Sequence, residues 1–401
     1  MSVPAYSWRR VSPIYWLRPA EWIVLVFTGY LVFRAMRDGA TLAEDNAPRA
    51  DMLAALMLAV LASQVHRYRR VPWPEDSMFV RKHWMLFPLT LVPLGLEAFA
   101  LSNLPDWDVN GHNGGYLFGA ILAAHWLLER FAFMGLPLVL LWLALGSHLK
   151  LNDGIQGRQF LGEMAGGLGN ALRDWAPPVM LTFLYGVLGS VLGHSSVPDQ
   201  DARLAAADRF LFFGHNPVWE LQRVASRPVS EWMAFCYGFY APIYPLCFGL
   251  LFAQTDKRGF RELALAITMG LSLGYLSYMA VPALGPAFTQ HFEVPLDDYY
   301  FKWMKEQLMD KYRVPRDCFP SMHTCVSFTF LWAARRHLRP LYWFLLPIVA
   351  TIPVACLYLR YHYFVDLLGG AALFAWVAWV TPRLIARHAA AWRAAETPAS
   401  A

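Results

Sequence analysis

The chain has 401 residues and a formal net charge of +5, with 57% hydrophobic, 15% aromatic and only 16% charged residues. Soluble domains carry about a quarter charged residues, so this composition, with its long uncharged runs, predicts a polytopic membrane protein. Nothing in the mild charge points to nucleic acid. The five cysteines show no C-x-x-C spacing and read as buried, inert thiols rather than a redox or zinc framework.

The first apolar run, Trp22–Phe33, follows Arg9, Arg10 and Arg18 without a small-residue cleavage pattern, which predicts a retained span rather than a cleaved leader. It and the second run, 52–65, fall short of the ~20 residues that cross a bilayer. Both would rely on Glu21, Arg34 and His66 snorkelling at their ends. The third run, 84–104, contains Glu97, expected at the interface or against a neighbouring helix. An acidic, turn-rich loop follows at 105–115. The run 116–128 stops at Glu129-Arg130 and predicts an interfacial or re-entrant helix, and 131–145 makes a fourth crossing. Residues 1–150 thus form an N-terminal region of about four spans, and the Gly-rich stretch 151–175 a cytoplasmic connector.

From 176 to 385 the pattern strengthens. Uncharged runs cover 175–193, 232–254, 263–288, 318–334, 341–359 and 367–381. They predict six spans joined by two long connections, 194–231 and 289–317, which carry amphipathic pieces at 204–213 and 299–312. A basic tail occupies 386–401. The expected fold is all-α, with about ten transmembrane helices and a six-span unit at its C-terminal end.

Lys and Arg in short loops mark the cytoplasmic side. With ten crossings, Arg9, Arg10 and Arg18, the basic segment 67–82, Lys257, Arg258 and Arg261, Arg335, Arg336 and Arg339, and Arg383 and Arg387 all fall on one side. Both termini are therefore expected in the cytoplasm. His323, His362 and Asp366 are then expected together on the extracytoplasmic face, at headgroup depth.

Those residues carry the chemistry. His362 and Asp366 are four apart, a spacing that places both on one face of a helix. A carboxylate there can accept the Nδ1 proton of the imidazole and leave Nε2 free as nucleophile or base. Pro320 and Ser321 precede His323 at the head of another apolar run, which predicts a helix N-terminus with Pro320 in its first turn. N–H groups at such an end favour phosphate. Tyr237, Tyr240 and Tyr244 line one helical face and read as packing. There is no H-E-x-x-H, acidic or Cys/His metal cluster and no nucleotide-binding loop, so neither a metal nor a cofactor is expected. The ionisable groups gather at one face rather than crossing the midplane, which weighs against a proton-coupled transporter.

Pro320-Ser321-Met322-His323 followed by His362-x-x-x-Asp366 resembles the type 2 phosphatidic acid phosphatase superfamily. Within it, residues 358–366 look most like the branch containing inositol phosphorylceramide synthase. The resemblance covers about 176–385. It implies that His362 attacks phosphorus and forms a phosphohistidine, that Asp366 orients it, and that His323 protonates the leaving oxygen and then activates the acceptor. It also implies that Ser321 helps hold the phosphate and that no metal is needed. The expected substrates are membrane lipid phosphates, with a ceramide-like lipid alcohol as acceptor or, in a lipid phosphate phosphatase, water. The usual arginine six residues before the nucleophile is here Cys356, and the lysine-led first motif is missing. Arg360, Arg316 and Arg313 are the guanidinium groups expected to clamp the phosphate instead.

Overall fold

Prolines and glycines decide where these apolar runs become helices and how closely the helices approach. The computed structural model describes residues 12–37 except 16, separate positions within 174–193, and 194–396 except 253, 255, 297, 298 and 307–313. The runs expected to span at 52–65, 84–104 and 131–145 lie outside the described residues, as do the interfacial segment 116–128, the loop 105–115, the connector as far as 173, and Arg313.

Eight helices carry the architecture: α1 (Pro19–Arg37), α2 (Asp201–Leu211), α3 (Arg227–Gly238), α4 (Tyr240–Phe252), α5 (Arg258–Ala280), α6 (Met322–His337), α7 (Arg339–Tyr358) and α8 (Phe364–Glu396). Among the described residues there is no strand beyond one isolated bridge, Ala283 to Asp317. Among the described residues three helices are long and apolar enough to cross a membrane, at Arg258–Ala280, Arg339–Tyr358 and Phe364–Ala391. The pair α3 and α4 makes a fourth if read as one broken span. The ten spans expected from the sequence are thus traced only in part.

The run expected as one uninterrupted helix over 232–254 is bent by 44° between α3 and α4. Pro242 has no N–H to give the Gly238 carbonyl, and its ring crowds that turn, so the helix breaks there. The helix starting at Arg258 stops at Ala280 because the residue before Pro282 is pushed out of the helical region.

Helix α6 sits centrally, packed against α4, α5, α7 and α8. Phe330 and Ala333 are fully buried on it, and Leu345, Val349 and Ile352 are fully buried on α7. Helix α1 joins this core through Val24, Phe27 and Leu31, with Phe27 and Tyr275 at 6.0 Å between ring centroids. At the end of the bundle where α5 starts and α6 stops, two buried acids tie the helices together. Asp174 pairs with Arg18 and with Arg261 at 2.8 Å, and Glu262 pairs with Arg336 at 3.1 Å and with His337. Stripping such an acid of its cations would cost ~3–5 kcal/mol, because the charge would stay buried and uncompensated.

At the opposite end α8 approaches α6 through Gly369 and Gly370. A Cβ on Gly370 would collide with the Ser321 carbonyl oxygen, so only glycine lets the two helix starts meet. Gly249 on α4 has nothing within 4 Å of such a Cβ. Gly370→Ala is therefore expected to lower stability in detergent by ~1–3 kcal/mol, the usual cost of overpacking. Gly249→Ala should be neutral or gain up to about 1 kcal/mol in helix propensity. Denaturant or thermal unfolding of the two variants decides; equal effects would mean the close approach is absent.

Candidate functional site

Each helix start at this end is built by a local device. Ser321 caps α6, its Oγ accepting the Thr324 N–H at 3.3 Å. Pro320 lies outside the helix, before the cap, not in the first turn as the sequence suggested. Its missing N–H suits that position equally well, since Ser321 does the capping.

His362 is also not helical. Helix α8 begins at Phe364, and His362 stands in the turn before it. The spacing of four still brings the pair together because Asp366 reaches backward. Its Oδ2 accepts the Tyr363 N–H at 2.8 Å and lies 3.3 Å from His362 Nδ1. This is the acidic half of a capping box, in which the third helical residue satisfies the N–H at the cap. The turn itself hangs from the end of α7: the Tyr361 and His362 N–H groups both donate to the Cys356 carbonyl, at 3.0 and 3.2 Å. Arg360 makes the reversal possible in a left-handed conformation, φ 69°, which glycine usually occupies.

The two helix starts are joined directly, the Ser321 N–H donating to the Asp366 carbonyl at 2.9 Å. Ser321 and Asp366 are wholly buried, His362 is 4% exposed and His323 is partly buried. The His323 and His362 ring centroids are 5.6 Å apart at 66°. Tyr237 stacks on His323 at 4.3 Å and Tyr240 packs on it at 4.2 Å, while Tyr361 stacks on Tyr237 at 5.2 Å. The tyrosine face read from the sequence as packing therefore packs on a site residue and holds its ring.

Cys318 was not anticipated. Its thiol donates to Asp366 Oδ2 at 3.0 Å and lies 3.7 Å from His362 Nδ1. Asp366 Oδ1 is buried and accepts no hydrogen bond among the described residues. Among the described residues two groups have ligand atoms close enough to hold a metal ion, Cys318 with His362 and Asp366, and His323 with Cys356 and His362. Both would use His362, so an ion in either would occupy an imidazole nitrogen of that residue.

The arginines separate. Arg316 Nε pairs with Asp199 at 2.6 Å, and its Nη atoms donate to the carbonyls of Leu192 and Ser195, at 2.9 and 3.1 Å, and of Val197. These contacts make the guanidinium a strut for the 192–199 loop. Arg360 sits on the His362 turn, its guanidinium 4.2 Å above the Phe292 ring and bonded to the Val294 carbonyl. Two further acids face this end from α2. Asp201 and Asp208 are buried there with Leu204 between them, at positions that share one helical face. The amphipathic piece read from the sequence at 204–213 takes in Asp208 but not Asp201, and polar side chains in such a piece read by default as its solvated face.

A family model described as the PAP2 superfamily matches residues 202–380. The match spans the helices that carry Ser321, His323, Arg360, His362 and Asp366, and it supports the superfamily resemblance for this part of the chain. Neither a curated protein nor a solved structure matches significantly.

Arg316→Ala should lower the unfolding midpoint, at a cost of ~1–3 kcal/mol for the acceptors it orphans, while changing affinity for inorganic phosphate less than about twofold. A loss of phosphate affinity at unchanged stability would return Arg316 to the clamp.

Proposed function

We propose, from the premise that residues 202–380 are a PAP2-superfamily domain, that this protein transfers the phosphoryl group of membrane lipid phosphate esters through His362. The observation that carries the reading is the 5.6 Å separation of the His323 and His362 rings, with Asp366 at His362 Nδ1.

In the proposed first step His362 Nε2 attacks phosphorus and the bond to the lipid oxygen breaks. His323 gives that oxygen its proton, so the lipid leaves as a neutral alcohol. In the second step His323 takes a proton from the acceptor hydroxyl, whose oxygen attacks the phosphohistidine and regenerates free His362. Asp366 keeps the Nδ1 proton in place and balances the charge that builds on the imidazole. Positioning and charge stabilisation supply most of the catalysis in phosphoryl transfer. Here the helix starts serve that need. Among the described residues, the Met322 and His323 N–H groups meet no acceptor, which leaves them for phosphate oxygens, with Arg360 as the nearest expected cation.

The site lies at the end of the bundle opposite Arg335, Arg336 and Arg383, which by the positive-inside rule favours the extracytoplasmic leaflet for it. The likeness of residues 358–366 to the inositol phosphorylceramide synthase branch favours a lipid hydroxyl of the ceramide kind as acceptor, over water.

Turnover by purified protein on phosphatidic acid, an isoprenyl diphosphate and a labelled phosphoinositol lipid, with and without ceramide, tests the reading. His362→Ala should show none, and His323→Ala should lose about 10²–10⁴-fold in kcat, the usual worth of a positioned acid–base group. Arg360→Ala should raise KM. Orthovanadate should inhibit by mimicking five-coordinate phosphorus. Inorganic phosphate as the sole product would replace the lipid acceptor by water, and wild-type turnover in His362→Ala would remove the reading altogether.

A further inference from the structure

The nucleophile's turn is held from outside the bundle. Helix α2 lies over this end, and Asp208 on it is 1% exposed. Its two carboxylate oxygens take the first two N–H groups of α8, Oδ2 from Phe364 at 2.7 Å and Oδ1 from Val365 at 2.9 Å. With the Tyr363 N–H taken by Asp366, three consecutive donors at the start of α8 are satisfied by carboxylates from two helices. Two turns away on α2, Asp201 accepts the Leu284 and Gly285 N–H groups at 2.9 and 2.8 Å and the Tyr363 hydroxyl at 3.0 Å. Leu204, between the acids, packs with Ala283, Cys318 and Tyr363. The loop gripped by Asp201 itself abuts the catalytic turn, the Ala287 N–H donating to the Arg360 carbonyl at 2.7 Å. Gly285, at φ 97°, runs so close to the Tyr361 carbonyl that a Cβ would stand 2.5 Å from it.

We infer that Asp208, supported by Asp201 through Tyr363, is a positioning residue for the His362–Asp366 pair: it fixes the rotation of the first turn of α8 and so aims the His362 imidazole. A carboxylate binding two adjacent N–H groups defines both the height and the roll of that turn. Asparagine cannot replace it, because its amide offers one acceptor oxygen and turns an NH₂ toward the second donor. Burial pushes the Asp208 carboxyl up from its ordinary range, the two N–H bonds oppose that push, and the neighbouring Asp366 charge adds to it. The Phe212 ring, edge-on to Phe364 at 4.9 Å, closes the contact on its outer side.

The kinetic part of this inference rests on the reading given under Proposed function, and the structural part does not. The test takes the full chain in detergent as wild type, Asp208→Asn, Tyr363→Phe and His362→Ala. Amide hydrogen exchange is followed in peptides covering 363–366, and kcat and KM are measured with short-chain phosphatidic acid. In Asp208→Asn, exchange at Phe364 and Val365 should rise and kcat should fall by about tenfold or more, the effect of one lost charge-assisted bond. KM should stay within about twofold, since the substrate contacts are intact. Faster exchange with kcat unchanged would overturn the positioning role, and unchanged exchange would overturn the clamp itself. If Asp208→Asn does not fold, Tyr363→Phe decides, because it removes only a hydroxyl; kcat should drop about threefold at constant KM, and an unchanged kcat counts against the inference. Should the wild type turn over none of these lipid phosphates, with ceramide or with water as acceptor, the functional reading fails by itself and the exchange result still judges the clamp.

Discussion

One hydrogen bond, from the Ser321 N–H to the Asp366 carbonyl at 2.9 Å, joins the starts of α6 and α8 and sets the terms for everything around it. Two helix N-termini side by side place like partial charges together, each roughly half an elementary charge. That arrangement needs negative charge nearby. At α8 the protein provides its own, through Asp366 at Tyr363 and Asp208 at Phe364 and Val365. At α6 the Ser321 hydroxyl caps Thr324 and no carboxylate faces the first two N–H groups among the described residues. The charge left uncompensated at α6 is the feature that suits a phosphate, beside His323 and within reach of His362.

The same constraint explains the small residues and the thiol-to-carboxylate contact at this end. Gly370 admits the Ser321 backbone, and Gly285 admits the Tyr361 carbonyl. Cys318 then closes the underside of the pair by donating to Asp366. Far from it, the buried acids Asp174 and Glu262 hold the other end of the bundle with Arg18, Arg261, Arg336 and His337. One end thus carries buried acids paired with cations, and the other two helix starts of which only α8 has carboxylates at its first N–H groups among the described residues. That polarity agrees with the loop charges that set orientation in a membrane.

Much of this was legible in the chain before any fold was known. Ser321, His323, His362 and Asp366 declare themselves because each belongs to a short local pattern with a mechanical meaning. The turn before α8 was misread as helix, since a spacing of four serves a reaching cap as well as a helical face. Pro242 marked the break in the 232–254 run, but an apolar run hides it when only hydropathy is weighed. Asp201, Asp208 and Cys318 were not legible, because their partners are backbone N–H groups or side chains more than 40 residues away. The contacts of Arg316 were equally hidden: its position near the motif suggested phosphate, while its partners in the 192–199 loop are set by tertiary structure alone.

The account stands or falls on whether a phosphoryl group passes through one imidazole. Rapid quench of the wild-type protein with ³²P-labelled phosphatidic acid, followed by proteolysis and mapping, measures this directly. Acid-labile, base-stable label on the peptide holding His362, absent from His362→Ala, is the predicted result. Turnover with no trapped label, or with label on another residue, would contradict it.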